Sequence, residues 1–261
     1  MSQRAFSHYL LSLFVMGMYL FLYVPIIILV LFSFNNSLLP YEWKGLTFHW
    51  YDYLWQSAEI WQALTNSLIV AMASVALSIS MGVALVYYSS RSALARSLVL
   101  FYGTLAVPEI VLSAGLLTIF LVGSVPLGLT TLIAAHTLLG LGYVVPIVHG
   151  RFQELDYALV EASLDLGATH TQTFFNVILP LLFPVITAAA LLVFIISLDD
   201  FLLSFFCAGV SIQTLPMYIF SMIRAGATPM VNALSTVLLL VSGLLVLFFS
   251  SLKVKKTGFM P

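Results

Sequence analysis

The chain has 261 residues, 62% of them hydrophobic and 7% charged, with a formal net charge of −1. Its mean hydropathy of +1.11 excludes an ordinary soluble domain, in which about 25% of residues are charged. A single cysteine, Cys207, excludes an internal disulfide and any metal site built from cysteines.

Residues 5–41, 60–90, 110–150, 166–198 and 225–252 contain no Asp, Glu, Lys or Arg. A helix needs about 20 apolar residues to cross roughly 30 Å of hydrocarbon. The runs are continuous and not alternating, which predicts helices and not strands. Six spans are expected, at about 8–33, 62–88, 98–122, 128–149, 181–205 and 230–252. The first apolar run is too long for a signal-peptide core of about 7–15 residues, and no small-residue cleavage site follows, so it is read as a span.

Residues 34–61 hold all four tryptophans, Trp43, Trp50, Trp55 and Trp61, together with Tyr41, Tyr51 and Tyr53. That composition predicts a helix lying at the outer membrane interface. The second span carries Ser67, Ala71, Ser74, Ser78 and Gly82 on one helical face; small residues let helices approach closely in lipid. In the third span Glu109 follows Pro108, and proline removes a helical hydrogen bond, predicting a kink. Gly123, Pro126 and Gly128 form the turn into the fourth span. His8, His49, His136, His149 and His170 are scattered with no metal-ligand spacing; His136 and His149 read as helix-packing residues. Met217 and Met222 read as packing residues too.

A polar segment, about 150–180, separates the fourth and fifth spans. Ala158, Ala162 and Leu166 share one helical face. Gly167 suits the left-handed conformation that ends a helix. Thr169 or Thr171 is placed to cap a second helix, with Phe174, Phe175 and Ile178 as its apolar edge. Pro180 then opens the fifth span. Glu154, Asp156, Glu161 and Asp165 against Arg151 make the segment acidic. A solvated loop would suffice for the polarity; an exposed amphipathic helix–turn–helix is better explained as a docking element.

Six spans put both termini on one side. With the termini in the cytoplasm, Arg4, Arg91, Arg96, Arg151, Lys253, Lys255 and Lys256 lie inside, and only Lys44 and Arg224 lie outside. This follows the positive-inside rule and places the polar segment in the cytoplasm.

Three acids fall inside apparent spans: Glu109, Asp199 and Asp200. A charge at a helix centre costs about 2.5–3.5 kcal/mol on insertion scales, so such residues face a cavity or a partner. Adjacent helical residues point about 100° apart, so Asp199 and Asp200 cannot face one point, and one of them is expected to cap locally. Carboxylates with aromatic walls suit a flexible polycation through charge and cation–π contacts. Tyr102, Tyr143 and Phe201 are the candidate walls.

The polar segment resembles the EAA loop of binding-protein-dependent ABC importers, written EAA-x3-G-x9-I-x-L-P. Glu161, Ala162, Gly167, Leu179 and Pro180 match at the right spacing, while Ser163 and Val177 replace an Ala and an Ile. The whole chain resembles the permease subunits of spermidine/putrescine importers, the second of the two partners. That likeness shows in VPIIILVLFSFNNS at 24–37, ISLDDF at 196–201 and LPMYIFSMIRAGATPMVNALST at 215–236. It implies an all-α membrane protein with the MetI-like permease fold, six transmembrane helices and cytoplasmic termini, in a bacterial inner membrane.

The resemblance makes Glu161, Ala162, Asp165, Gly167, Leu179 and Pro180 the ATPase-coupling residues. It implies three partners: a cytoplasmic ATPase dimer, a second homologous permease subunit and an extracytoplasmic solute-binding protein. Transport would proceed by alternating access. The chain has no P-loop, since none of its four lysines sits in G-x4-G-K-[ST]. No cofactor is therefore expected on this chain; ATP and Mg belong to the partner ATPase, and the chain is not expected to be an enzyme. The competing class is a gradient-driven secondary transporter, which predicts an internal repeat; none is evident between residues 1–130 and 131–261. Within the ABC class, another small cationic or amino-containing solute is the alternative cargo.

Overall fold

The computed structural model describes residues 3–37, 42–89, 98–226 and 228–257, and the side chains of 11–37, 42–89, 98–226 and 229–244. Tyr41, Arg91 and Arg96 lie outside the described residues, as do the side chains of Arg4, His8, Lys253, Lys255 and Lys256. Among the described residues the chain is helical, apart from one isolated bridge between Asn35 and Leu46.

Twelve helices follow in order: α1 Gln3–Phe32, α2 His49–Gln56, α3 Ala58–Ser89, α4 Leu98–Thr104, α5 Glu109–Val122, α6 Leu129–Gln153, α7 Tyr157–Asp165, α8 His170–Thr173, α9 Leu179–Asp199, α10 Leu202–Cys207, α11 Leu215–Arg224 and α12 Thr228–Thr257. Among the described residues, four stretches are long and apolar enough to cross a membrane: Leu11–Phe32, Ala58–Ser89, Leu129–Gln153 and His170–Asp199. The pair α4–α5 counts as a fifth only if its two bent halves form one span. In α12 the described apolar stretch, Pro229–Leu244, is shorter.

The chain divides into two compact units, residues 1–58 with 219–261, and residues 59–218. In the first, α12 packs on α1 and α2. Buried Asn35 organises the loop before α2: its Oδ1 accepts from the Lys44 N–H at 3.0 Å and its Nδ2 donates to the Glu42 carbonyl at 2.7 Å. The Trp50 indole donates to the Asn35 carbonyl at 2.8 Å. A helix, α2, stands in the tryptophan-rich segment, with Trp61 not in the loop but in the first turn of α3.

In the second unit α6 is the central post. It packs on α4, α9 and α10. The small-residue row of α3 is buried throughout, and its members have identifiable neighbours. Ser67 Oγ accepts from the Leu215 N–H at 2.8 Å. Ser78 Oγ donates to the Thr137 carbonyl at 3.0 Å. A β-carbon on Gly82 would lie 2.6 Å from Val144 Cγ1. On the α6 side, a β-carbon on Gly140 would collide with Ser78 Oγ and lie 2.9 Å from Val193 Cγ1, so α3, α6 and α9 meet closely there. Close approach of this kind is how membrane helices associate when burial from lipid gives no hydrophobic gain.

Two expected spans differ from the structure. The third, 98–122, is not one kinked helix: α4 and α5 are separated by Leu105–Pro108 and bent by 115°. Proline lacks an N–H and disfavours helix in the residue before it. Thr104 Oγ1, at the end of α4, donates to the Phe101 carbonyl at 2.6 Å. The fifth, 181–205, stops at Asp199. Asp200 turns extended (ψ 118°), and its Oδ1 accepts from the N–H groups of Leu203 and Ser204 at 2.8 and 3.3 Å. A short carboxylate that captures these amides starts a new helix and ends the old one. Nor does the fifth span begin at Pro180. Helix runs unbroken from His170 to Asp199, through a π-turn at Phe174–Ile178. The wider turn accommodates a proline ring that would press on the carbonyl four residues earlier in α-geometry.

Candidate functional site

Two regions carry the predicted site residues. The first is the acid cluster. Glu109 opens α5 immediately after the break, with its side chain exposed. Asp199 ends α9 and is exposed. Asp200 is 5% exposed. Glu109, Asp199, Asp200 and Phe201 line one open pocket of about 350 Å³, with Ile195, Ile196 and Leu202 as its apolar wall. The two helix breaks meet here: each interrupts an apolar helix and delivers carboxylates to the same hollow.

The expected division between Asp199 and Asp200 is visible. Asp200 is the local cap, tied by Oδ1 to α10. Its Oδ2 is buried and meets no donor at hydrogen-bond geometry among the described residues, but the Glu109 carboxyl stands close enough to bond to this side chain or repel it. Two carboxyl groups gathered at one hollow attract a cation.

Of the three proposed aromatic walls, Phe201 lines the acid pocket and stacks obliquely on Phe205, with ring centroids 5.4 Å apart. Tyr143 shares a smaller cavity of about 80 Å³ with Glu109, Leu139 and Ile196. Tyr102 lines neither. It sits on α4, where its hydroxyl meets His149 Nδ1 at 3.0 Å, because the chain bends away after Thr104. His149 thus serves contact between helices, as expected, and Tyr102 stands as its partner on α4.

The second region is α7–α8. Asp156 caps α7, its Oδ1 accepting from the Ala158 N–H at 3.0 Å. Val160 is buried, with Leu164 packed against the same core as Ile178 and Leu182. The opposite face is open: Ala158, Glu161, Ala162, Asp165 and Leu166 are exposed, Leu166 by 90%. Gly167 follows with φ +86°, a conformation costing a residue with a β-carbon about 1–2 kcal/mol. Of the two candidate caps, Thr169 serves: its Oγ1 accepts from the Gln172 N–H, and the Gln172 amide oxygen accepts from the Thr169 N–H. Leu179 is half-buried and Pro180 exposed.

Two supports here were not read from the sequence. Ser163, which departs from the EAA pattern, faces inward and meets buried Thr173 with hydroxyls 3.0 Å apart. The substitution therefore adds a bond across the turn. Tyr87 of α3 donates from its hydroxyl to the His170 carbonyl at 3.2 Å and packs its ring on Phe174 at 4.5 Å. The spacing of Ser163 and Thr173 in sequence gave no helical signal, since they lie on two different helices.

A multi-pass helical membrane protein with a charged hollow between its helix breaks, and an exposed helix pair between two apolar stretches, is a transport permease in architecture. The family described as binding-protein-dependent transport system inner membrane component matches residues 74–254. The chain belongs to that family. Among its relatives, the spermidine/putrescine transport system permease protein PotC of Haemophilus influenzae is 37% identical over 238 residues, covering 90% of this chain and 92% of that protein. The PotC of Escherichia coli K12 is also 37% identical, over 90% of each chain. The putrescine transport system permease protein PotI of the same organism is 33% identical, over 84% of this chain and 82% of its own length. In fold, the chain is similar to a solved bacterial ABC transporter involved in import of the acidic polysaccharide alginate. The TM-score is 0.70 at 15% identity, covering 99% of both chains. A second such structure, in complex with an alginate pentasaccharide-bound periplasmic protein, also gives 0.70, at 17% identity over 95% of this chain and 93% of the other.

Proposed function

We propose that this chain is one permease subunit of an ATP-driven importer of polyamines in a bacterial inner membrane. In this reading six segments cross the bilayer, with both termini and α7–α8 in the cytoplasm and α2 at the outer interface. The exposed α7 face, with Glu161, Ala162 and Asp165 on it and Gly167 setting its end, docks on a cytoplasmic ATPase subunit. ATP and Mg sit on that partner. A second, homologous permease subunit completes the pathway, and a solute-binding protein delivers cargo from outside. Leu179 and Pro180 join the docking helices to α9.

The observation that carries the reading is the conjunction in one helix of the two sites: helix continues from His170, beside the docking face, to Asp199 at the acid pocket. The cargo assignment is supported by the names of the relatives and by chemistry. Glu109, Asp199 and Asp200 present three carboxyl groups, with Phe201 and, nearby, Tyr143 as aromatic neighbours. A linear polycation with amines spaced along an apolar backbone complements that surface.

The test is co-purification with the ATPase and polyamine uptake by the assembled complex. Glu161→Lys combined with Gly167→Pro is expected to release the ATPase and abolish uptake. Intact assembly and uptake in that variant would overturn the docking assignment.

A further inference from the structure

The buried imidazole of His136 does more than pack. It sits about two turns into α6, 1% exposed. Its Nδ1 meets Ser197 Oγ of α9 at 2.9 Å, and its Nε2 meets Ser204 Oγ of α10 at 3.3 Å. Those two hydroxyls stand on either side of the helix break at Asp200. Ser204 also gives its backbone N–H to Asp200 Oδ1, so the ring is linked through one residue to the buried carboxylate. On the other side Ser197 Oγ receives a long contact, 3.4 Å, from Ser74 Oγ of α3.

A neutral imidazole offers one donor and one acceptor on opposite edges of a rigid ring, and hydroxyls rotate to answer either. The ring is therefore a spacer of fixed width between the end of α9 and the start of α10. A leucine of similar bulk would fill the space yet take away the Ser204 contact and leave Ser197 only its long contact with Ser74. Packing alone would be served by the leucine; bridging the break is not.

We propose that His136 is a positioning residue for Asp200. By clamping α9 to α10 across the break, it fixes where the Asp200 carboxyl stands in the wall of the acid pocket, and so tunes recognition of a polycationic cargo. The inference rests on the pathway reading of that pocket given above.

The test uses the complete reconstituted transporter: ATPase, both permease subunits and binding protein. His136→Leu, Asp200→Asn and the double variant are compared for uptake of spermidine and putrescine. His136→Leu is expected to lower spermidine uptake about three- to tenfold, the range for losing one hydrogen bond. Uptake of the triamine falls more than that of the diamine. The double variant is expected to be no worse than Asp200→Asn alone, because both changes disable the same group. His136→Gln, whose amide restores a donor and an acceptor, recovers part of the loss. Independent, multiplying effects, or equal loss for both amines without rescue by Gln, would reduce His136 to a packing residue. Should His136→Leu fail to assemble, Ser204→Ala carries the same cycle, removing the Nε2 contact alone. If Asp200→Asn by itself leaves uptake unchanged, the pathway reading falls, and this inference with it; if only the non-additivity is missing, the pathway reading stands.

Discussion

Asp199 and Asp200 are neighbours in sequence and different in kind. Asp200 is spent on structure through one oxygen, capping α10, and keeps the other buried. Asp199 projects from the end of α9 and Glu109 from the start of α5, both exposed. If the pocket carries a polyamine, neutralising the two exposed acids weakens the attraction for cargo and leaves the cap intact. Asp199→Asn and Glu109→Gln are each expected to reduce polyamine uptake by the assembled transporter, with the ATPase still bound on purification. Unchanged uptake in both variants would remove them from the pathway. The sequence made this division foreseeable, since adjacent residues diverge on a helix, but not which acid would cap. That depended on where α9 stops, and nothing in ISLDDFLLSF marks the stop except the aspartates themselves. Tyr102 lines neither acid-bearing cavity for a related reason: an aromatic residue near an acid in sequence is carried away from it by a 115° bend.

Among elements, α6 was legible as a span and illegible as the post around which the unit is built. Its Gly140 stands where Ser78 of α3 and Val193 of α9 close in together. Neither of those neighbours is a flexible chain end, so a larger residue has nowhere to go. Gly140→Val is expected to destabilise the protein by about 1–3 kcal/mol, as overpacking of a tight interior does. Thermal unfolding in detergent would show it, and an unchanged midpoint would mean that the three helices do not meet so closely. The small-residue row on α3 was readable because its spacing matches the helical repeat; its partners were not, because they come from segments distant in sequence. The loop segment was the most legible of all. Its cap, its left-handed glycine and its exposed face follow from local chemistry at Asp156, Gly167 and Thr169. What sequence pattern missed there was continuity, because Pro180 reads as a boundary and the π-turn before it removes the boundary.

At the scale of the molecule, helix content and the apolar stretches followed from composition, while the breaks that make the acid pocket came from single residues, Pro108 and Asp200. Membership in the permease family sets an expectation for the whole. Vesicles holding this chain alone are expected to take up no polyamine under an imposed proton gradient. Adding the ATPase, the second permease subunit, the binding protein and ATP should confer uptake that a protonophore does not abolish. Uptake by the single chain, collapsing with the gradient, would place the protein among secondary transporters.

The unbroken run from His170 to Asp199 also has a mechanical meaning. Thirty residues at about 1.5 Å each make a rod of about 45 Å. Its near end is held at His170 and Thr173, by Tyr87 and Ser163. A tilt of about 5° about that end would carry Asp199 through about 4 Å, most of one 5.4 Å helical turn, so a small motion at the loop would be felt most beside the acids.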